Sequence, residues 1–149
     1  MTLKKRLDED LKNALRARDE LRKSVLRFVL SALHNREIEV GEGLDDEGVL
    51  TVLSRQAKQR RESIDAYTKG NRPDLVEREE AELQIILQYL PAQMSADEIT
   101  RLASQAVADS GATGPQDMGK VMGRLMPAVK DKADGKAVSG IVARLLSEL

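Results

Sequence analysis

The chain has 149 residues, of which 41% are hydrophobic and 33% charged; it has no cysteine, one histidine and three aromatic side chains. Disulfides, zinc–thiolate centres and thiol nucleophiles are therefore excluded. With 24 basic and 25 acidic residues the formal charge is −1, so overall charge exerts no pull toward nucleic acid and any polyanion must be held by a local patch.

The first sixteen residues are charged throughout and contain no apolar core, which is not the pattern of a signal peptide. They read as a helix over about 2–17, with Leu3, Leu7, Leu11 and Leu15 four apart on one face. Asp19 is a suitable cap for a second helix over about 20–40. Apolar residues, Phe28 among them, cover most of its circumference, so it is expected to be the central and most buried helix. Gly41 and Gly43 end it. Asp45 or Asp46 caps a third helix over about 46–69, where Leu50, Leu53, Ala57, Ile64 and Tyr67 form a helix–helix seam interrupted by Arg60. Arg60 fits that seam if its stem is buried and its guanidinium pairs with a glutamate of the next helix. The fourth helix begins near Pro73 and runs to about Leu90, where Pro91 stops it.

Residues 89–94 read as a junction. Ser95 and Glu98 have the spacing of a capping box at the start of a fifth helix that runs to about Asp109. A Gly/Pro loop leads to a sixth helix ending near Lys130, and Asp134 caps a seventh carrying Val138, Ile141, Val142, Leu145 and Leu149. No segment alternates like a strand, and no apolar run is long enough to span a membrane. The expected fold is all-α: an N-terminal four-helix unit over 1–93 followed by a smaller three-helix domain over 94–149. Lack of cysteine and of a signal peptide gives the expectation of a cytoplasmic protein without a membrane partner.

Little here can carry catalysis. Gly114–Val121 has the two glycines and lysine of a phosphate loop, but Val121 stands where Ser or Thr must hold magnesium, and a helix precedes it where a buried strand is required. It reads instead as a helix N-terminus with turn glycines. His34 alone makes neither a metal site nor a triad. Glu77, Glu79, Glu80 and Glu82 read as a charged helix face. No cofactor or metal is expected. Between residues 120 and 144, six basic residues stand against two acidic ones. Lys120 and Arg124 share a helix face and could hold phosphate, although on composition alone a plain solvated face is the better account and Asp117 competes for the same helix dipole. With so few aromatics, any nucleic acid should be gripped by backbone and shape rather than by stacked bases.

Four stretches, Gln59–Ile64, Tyr89–Pro91, Asp117–Gly123 and Lys132–Ser139, together resemble the GatB/YqeY family, specifically its stand-alone YqeY-like members. Asp131 stands where that pattern leads one to expect glycine. The resemblance implies a helical domain followed by a three-helix tail domain, which in the GatB subunit of the glutamine-dependent tRNA amidotransferase engages tRNA. By that resemblance Lys120, Arg124, Lys130, Lys132 and Lys136 are the candidate tRNA contacts. The implied role is a helical module that binds tRNA or assists tRNA-dependent amidotransferase, a carbon–nitrogen ligase with glutamine as amido-N donor. The alternative is an adaptor docking amidotransferase or synthetase subunits, with no nucleic-acid partner.

Overall fold

A computed structural model describes residues 1–149 as seven α-helices and no strand, so the fold is all-α. The helices are α1 (Leu3–Ala17), α2 (Glu20–Val40), α3 (Asp46–Lys69), α4 (Pro73–Leu87), α5 (Ala96–Ser110), α6 (Met118–Val129) and α7 (Gly135–Ser147), with a 3₁₀ turn at Pro115–Asp117 before α6. None is long and apolar enough to cross a membrane. The chain divides into two compact units, Met1–Pro91 and Ala92–Leu149.

In the first unit the starts of the helices are written in the sequence. Asp19 accepts from the Arg22 amide and Asp45 from the Gly48 amide, each satisfying a backbone donor that the helix itself cannot. The neighbouring Asp46 accepts from the amide of Leu3 at 2.9 Å, joining the starts of α1 and α3. The core gathers Leu7 from α1, Val25, Leu26, Val29 and Leu33 from α2, Val49, Leu53 and Ala57 from α3, and Leu83 and Ile86 from α4.

Three expectations shift. Leu15 is 43% exposed and Ala14 is buried in its place, because four-residue steps on a helix of 3.6 residues per turn drift by about 40° each; the leucine stripe leaves the core by its fourth member. Helix α2 does touch α1, α3 and α4, yet Phe28 on its outer side is 53% exposed. Helix α4 ends at Leu87, and residues 88–90 continue as tighter turns whose amides donate three residues back. Pro91 disfavours helical backbone at Leu90. The turn also buries Tyr89, whose hydroxyl donates to Asp10 of α1 at 2.5 Å while Arg6 lies 4.7 Å from the ring centroid.

The second unit packs Ile99, Ala103 and Ala106 of α5 against Val121, Leu125 and Val129 of α6 and Val138, Val142 and Leu146 of α7. Ser95 caps α5 by accepting from the Glu98 amide, so the Ser half of the expected capping box is formed. The loop between α6 and α7 is tied down by backbone groups. Met94 N–H donates to the Lys132 carbonyl at 2.8 Å, and the Gln93 side chain donates to the Asp131 carbonyl at 2.9 Å. Asp131 takes a left-handed conformation (φ 62°), a region where glycine is cheapest and Asp is among the tolerated residues. The turn that the sequence pattern assigns to glycine is thus kept with aspartate in it.

Candidate functional site

Lys120, Arg124, Lys130, Lys132 and Lys136 are all exposed. They fall into two groups. Lys120 and Arg124 lie one turn apart on α6, on the side away from buried Val121, Leu125 and Val129. Lys130, Lys132 and Lys136 cluster where α6 ends and α7 begins, interleaved with Asp131 and Asp134. Ten residues of helix separate Lys120 from Lys130, which is roughly 15 Å along the axis. Lys120, Arg124 and Lys132 enter no salt bridge, whereas Lys130 and Lys136 are engaged by neighbours. The unit as a whole carries seven basic and seven acidic residues.

The segment before α6 does not form a phosphate cradle. Helix α5 leads into it, and the carboxylate of Asp117 accepts from the Thr113 amide at 2.8 Å. That hydrogen bond holds the Asp117 carboxyl below the usual carboxylate range, with a smaller contribution from the charge of Lys120. A carboxylate therefore already occupies the turn where an anion would sit, and Lys120 lies within its field.

The most structured polar site is in the first unit, where a cavity of about 460 Å³ opens between α2, α3 and α4. Arg60, at the interruption of the α3 seam, pairs with both Glu79 and Glu82 of α4, as its seam position predicts. Glu82 is 5% exposed and uses both oxygens: one for Arg60 and one for Arg78 at 3.2 Å. The Arg60 guanidinium carbon lies 5.5 Å from the centroid of the Phe28 ring, close enough for a cation–π contact. Two arginines and two glutamates cancel, and the remaining lining is neutral: Gln56, Gln59, Ser63 and Tyr67 of α3 and Ser24 of α2. Gln56, Arg60, Ser63 and Tyr67 recur at helical spacing along one face of α3. This polar stripe was the available signal, but it is masked in the sequence by the apolar stripe that runs beside it. No group of His, Cys, Asp or Glu is arranged to hold a metal ion, and His34 lies exposed on α2.

Comparison with known proteins follows the same outline. The family described as Yqey-like protein matches residues 4–146. The chain belongs to the YqeY-like family. Its relatives include proteins named altered inheritance of mitochondria protein 41, mitochondrial. The protein of that name from Lachancea thermotolerans is 46% identical over 85 residues, covering 56% of this chain and 46% of the relative. That from Eremothecium gossypii is 38% identical over 100 residues, covering 65% and 55%. That from Saccharomyces cerevisiae strain YJM789 is 31% identical over 133 residues, covering 89% and 63%. The chain thus spans about half to under two thirds of the length of these relatives.

The expectation of a cytoplasmic protein is corrected by these names, which are those of mitochondrial proteins. It rested on the lack of cysteine and of a secretory signal. Those features argue against a disulfide-dependent secreted domain and do not discriminate among the compartments inside a cell.

Proposed function

We propose that this YqeY-like chain is a non-catalytic helical module that engages tRNA, or another structured RNA, through cations of residues 92–149. In this reading it assists glutamine-dependent amidotransferase chemistry as a binding accessory. The observation that carries the reading is the pair Lys120 and Arg124, exposed on one side of α6 and outside any salt bridge. Exposed Lys132 adds a third such charge in the loop that follows. Lys130 and Lys136 lie beside it and are weaker candidates, because each is engaged within the protein. Binding rather than catalysis is favoured by the residue inventory, which has no cysteine and a single histidine. The relatives' names make mitochondria the first compartment in which to look for the partner.

Three phosphate contacts give a defined salt signature. Each contributes a slope of about −0.7 to −0.9 in log K against log salt, so affinity should fall roughly 20- to 40-fold between 50 and 200 mM salt. The test is a filter-binding titration of bulk tRNA with the intact chain and with the Lys120→Glu/Arg124→Glu/Lys132→Glu variant. Binding that weakens at least tenfold in the variant, with a shallower salt slope, supports the reading; unchanged binding refutes it. A protein-adaptor role has its own observation, the exposed apolar side chains Ile38 (67%) and Val40 (42%) at the end of α2. Salt-insensitive association of an amidotransferase or synthetase subunit, lost when both are changed to Ser, would favour that role.

A further inference from the structure

Helices α1 and α2 lie antiparallel and are tied at one end by the Lys4–Glu37 ion pair at 2.5 Å. Their outer sides do not close over the seam between them. A groove of about 460 Å³ remains, lined by Leu11 of α1 and by Arg27, Leu30, Ser31, His34 and Asn35 of α2. Leu11 and Leu30 form its floor, half-buried against the core. The apolar strip continues at both ends. Leu15, 43% exposed, follows one turn after Leu11, and Ile38, 67% exposed, one turn after His34. The drift of about 40° per step that takes Leu15 out of the core carries it toward the side on which Lys4 meets α2. From Arg27 to Ile38 the groove runs roughly 17 Å along α2, about three helical turns.

The charges around this groove are one-sided. None of its lining residues is acidic. Arg27 is exposed and enters no salt bridge, and the same holds for Lys12, which follows Leu11 on α1. Residues 11–18 hold Lys12, Arg16 and Arg18 and no carboxylate. Glu20 and Glu37 of α2 are each paired, with Lys23 and Lys4. The unpaired carboxylates of α1, Asp8 and Glu9, belong to its first half, which by the antiparallel register lies beside the second half of α2, beyond Arg27. The groove is therefore cationic at the Lys12–Arg27 end, where it complements acidic side chains. An apolar floor of this length between polar rims is the form that receives the apolar face of a helix. The floor leucines are half-buried between exposed polar residues, so a cylinder reaches them and a flat bilayer surface does not. A nucleic-acid backbone has no use for the apolar floor.

We propose that the α1–α2 groove docks an acidic amphipathic helix of a partner protein, with its apolar face on Leu11, Leu15 and Leu30 and its acidic residues beside Lys12 and Arg27. The surface lies within Met1–Pro91 and does not depend on RNA binding by residues 92–149. The test is NMR titration of the isotopically labelled full chain with a hydrocarbon-stapled peptide of about 12 residues, stapled because so short a helix is marginal in water. The peptide carries leucines at i, i+3, i+4 and i+7 with glutamates around them. A second peptide has lysines in place of the glutamates, and phosphatidylglycerol vesicles are the third probe. The expected result is saturable shifts of residues 8–15 and 27–38, with the acidic peptide bound at least about fivefold more tightly than the basic one at low salt. Lys12→Glu/Arg27→Glu should reverse that preference, a result that loss of folding cannot imitate. Leu15→Ser should weaken both peptides severalfold. The Lys120→Glu/Arg124→Glu/Lys132→Glu variant should bind the acidic peptide unchanged, which separates this surface from the proposed tRNA surface. No shifts at millimolar peptide, shifts elsewhere on the chain, equal binding of the two peptides, a preference that survives the double charge reversal, or a groove shifted by vesicles and by neither peptide would each overturn the proposal.

Discussion

Replacing Arg60 with Met is the sharpest probe of what holds the first unit together. The Glu82 side chain is 6% exposed and depends on two arginines. Arg60, itself 16% exposed, also holds Glu79 at 3.2 Å. Removing it leaves one carboxylate inside the protein with only Arg78, whose side chain is 68% exposed. Breaking a buried pair costs about 3–5 kcal/mol, most of it from the charge left behind. Glu82 keeps one partner and borders a water-accessible cavity, so the low end applies, about 3 kcal/mol. For a unit of this size that is a fall in Tm of about 12–24 °C.

The same reasoning makes Arg60→Met/Glu82→Leu milder than Arg60→Met alone, because an apolar pair replaces the most buried charges and only Glu79, whose side chain is 17% exposed, loses its cation. The double variant should fall within about 1 kcal/mol of the parent chain. Denaturant titration of the full chain by circular dichroism, with hydrogen exchange on α3 and α4 amides to assign the transition, measures both. As a control, removing Lys23, which pairs with a Glu20 side chain that is 74% exposed, should cost under about 1 kcal/mol. Additive losses in the double variant, or a cost below about 1 kcal/mol for Arg60→Met, would refute the claim that pairing governs this site.

Two further outcomes follow from single contacts. Burial, reinforced by the hydrogen bond to Asp10, raises the Tyr89 hydroxyl to about 12. An acid raised in the folded state adds stability that is complete below its unfolded value near 10 and is lost as pH climbs toward 12. Stability should therefore drop by about 1.4 kcal/mol per pH unit in that window, a slope that Tyr89→Phe removes in alkaline unfolding curves, while Tyr89→Phe also costs about 1.5–3 kcal/mol at neutral pH for the lost bond to a carboxylate. At Asp131, held at φ 62°, Val should destabilise by about 1–2 kcal/mol, whereas Gly should be tolerated; equal midpoints for the two variants in thermal unfolding would contradict the role given to the turn.

Much of the fold was legible because it is encoded locally. Asp19, Asp45 and Ser95 each cap the helix that their position announces, since a cap needs only its own side chain and an amide two or three residues on. The helices and the seam position of Arg60 follow from period and chemistry. What escaped was decided by partners distant in sequence. Phe28 lies outward, though a helix apolar all round suggests burial, because the surfaces of α1, α3 and α4 cover only part of α2. Tyr89 is buried through a turn and a contact with Asp10, 79 positions away. Leu15 was misread for a simpler reason, the drift of a four-residue repeat.

The candidate sites were harder to read, because a count of cations says nothing of their availability. Six basic residues against two acidic ones between 120 and 144 suggest a positive surface. Folded, they divide into a pair on α6, three at the α6–α7 turn and Arg144 in the last turn of α7, and two of the three at the turn are already engaged. Arg60 makes the converse point: it belongs to a basic run in the sequence, yet two carboxylates from α4 consume its charge. Coulomb attraction at an exposed lysine is screened by salt within about 10 Å. The exposed cations of α6 should accordingly set both the strength and the salt dependence of any contact with a polyanion.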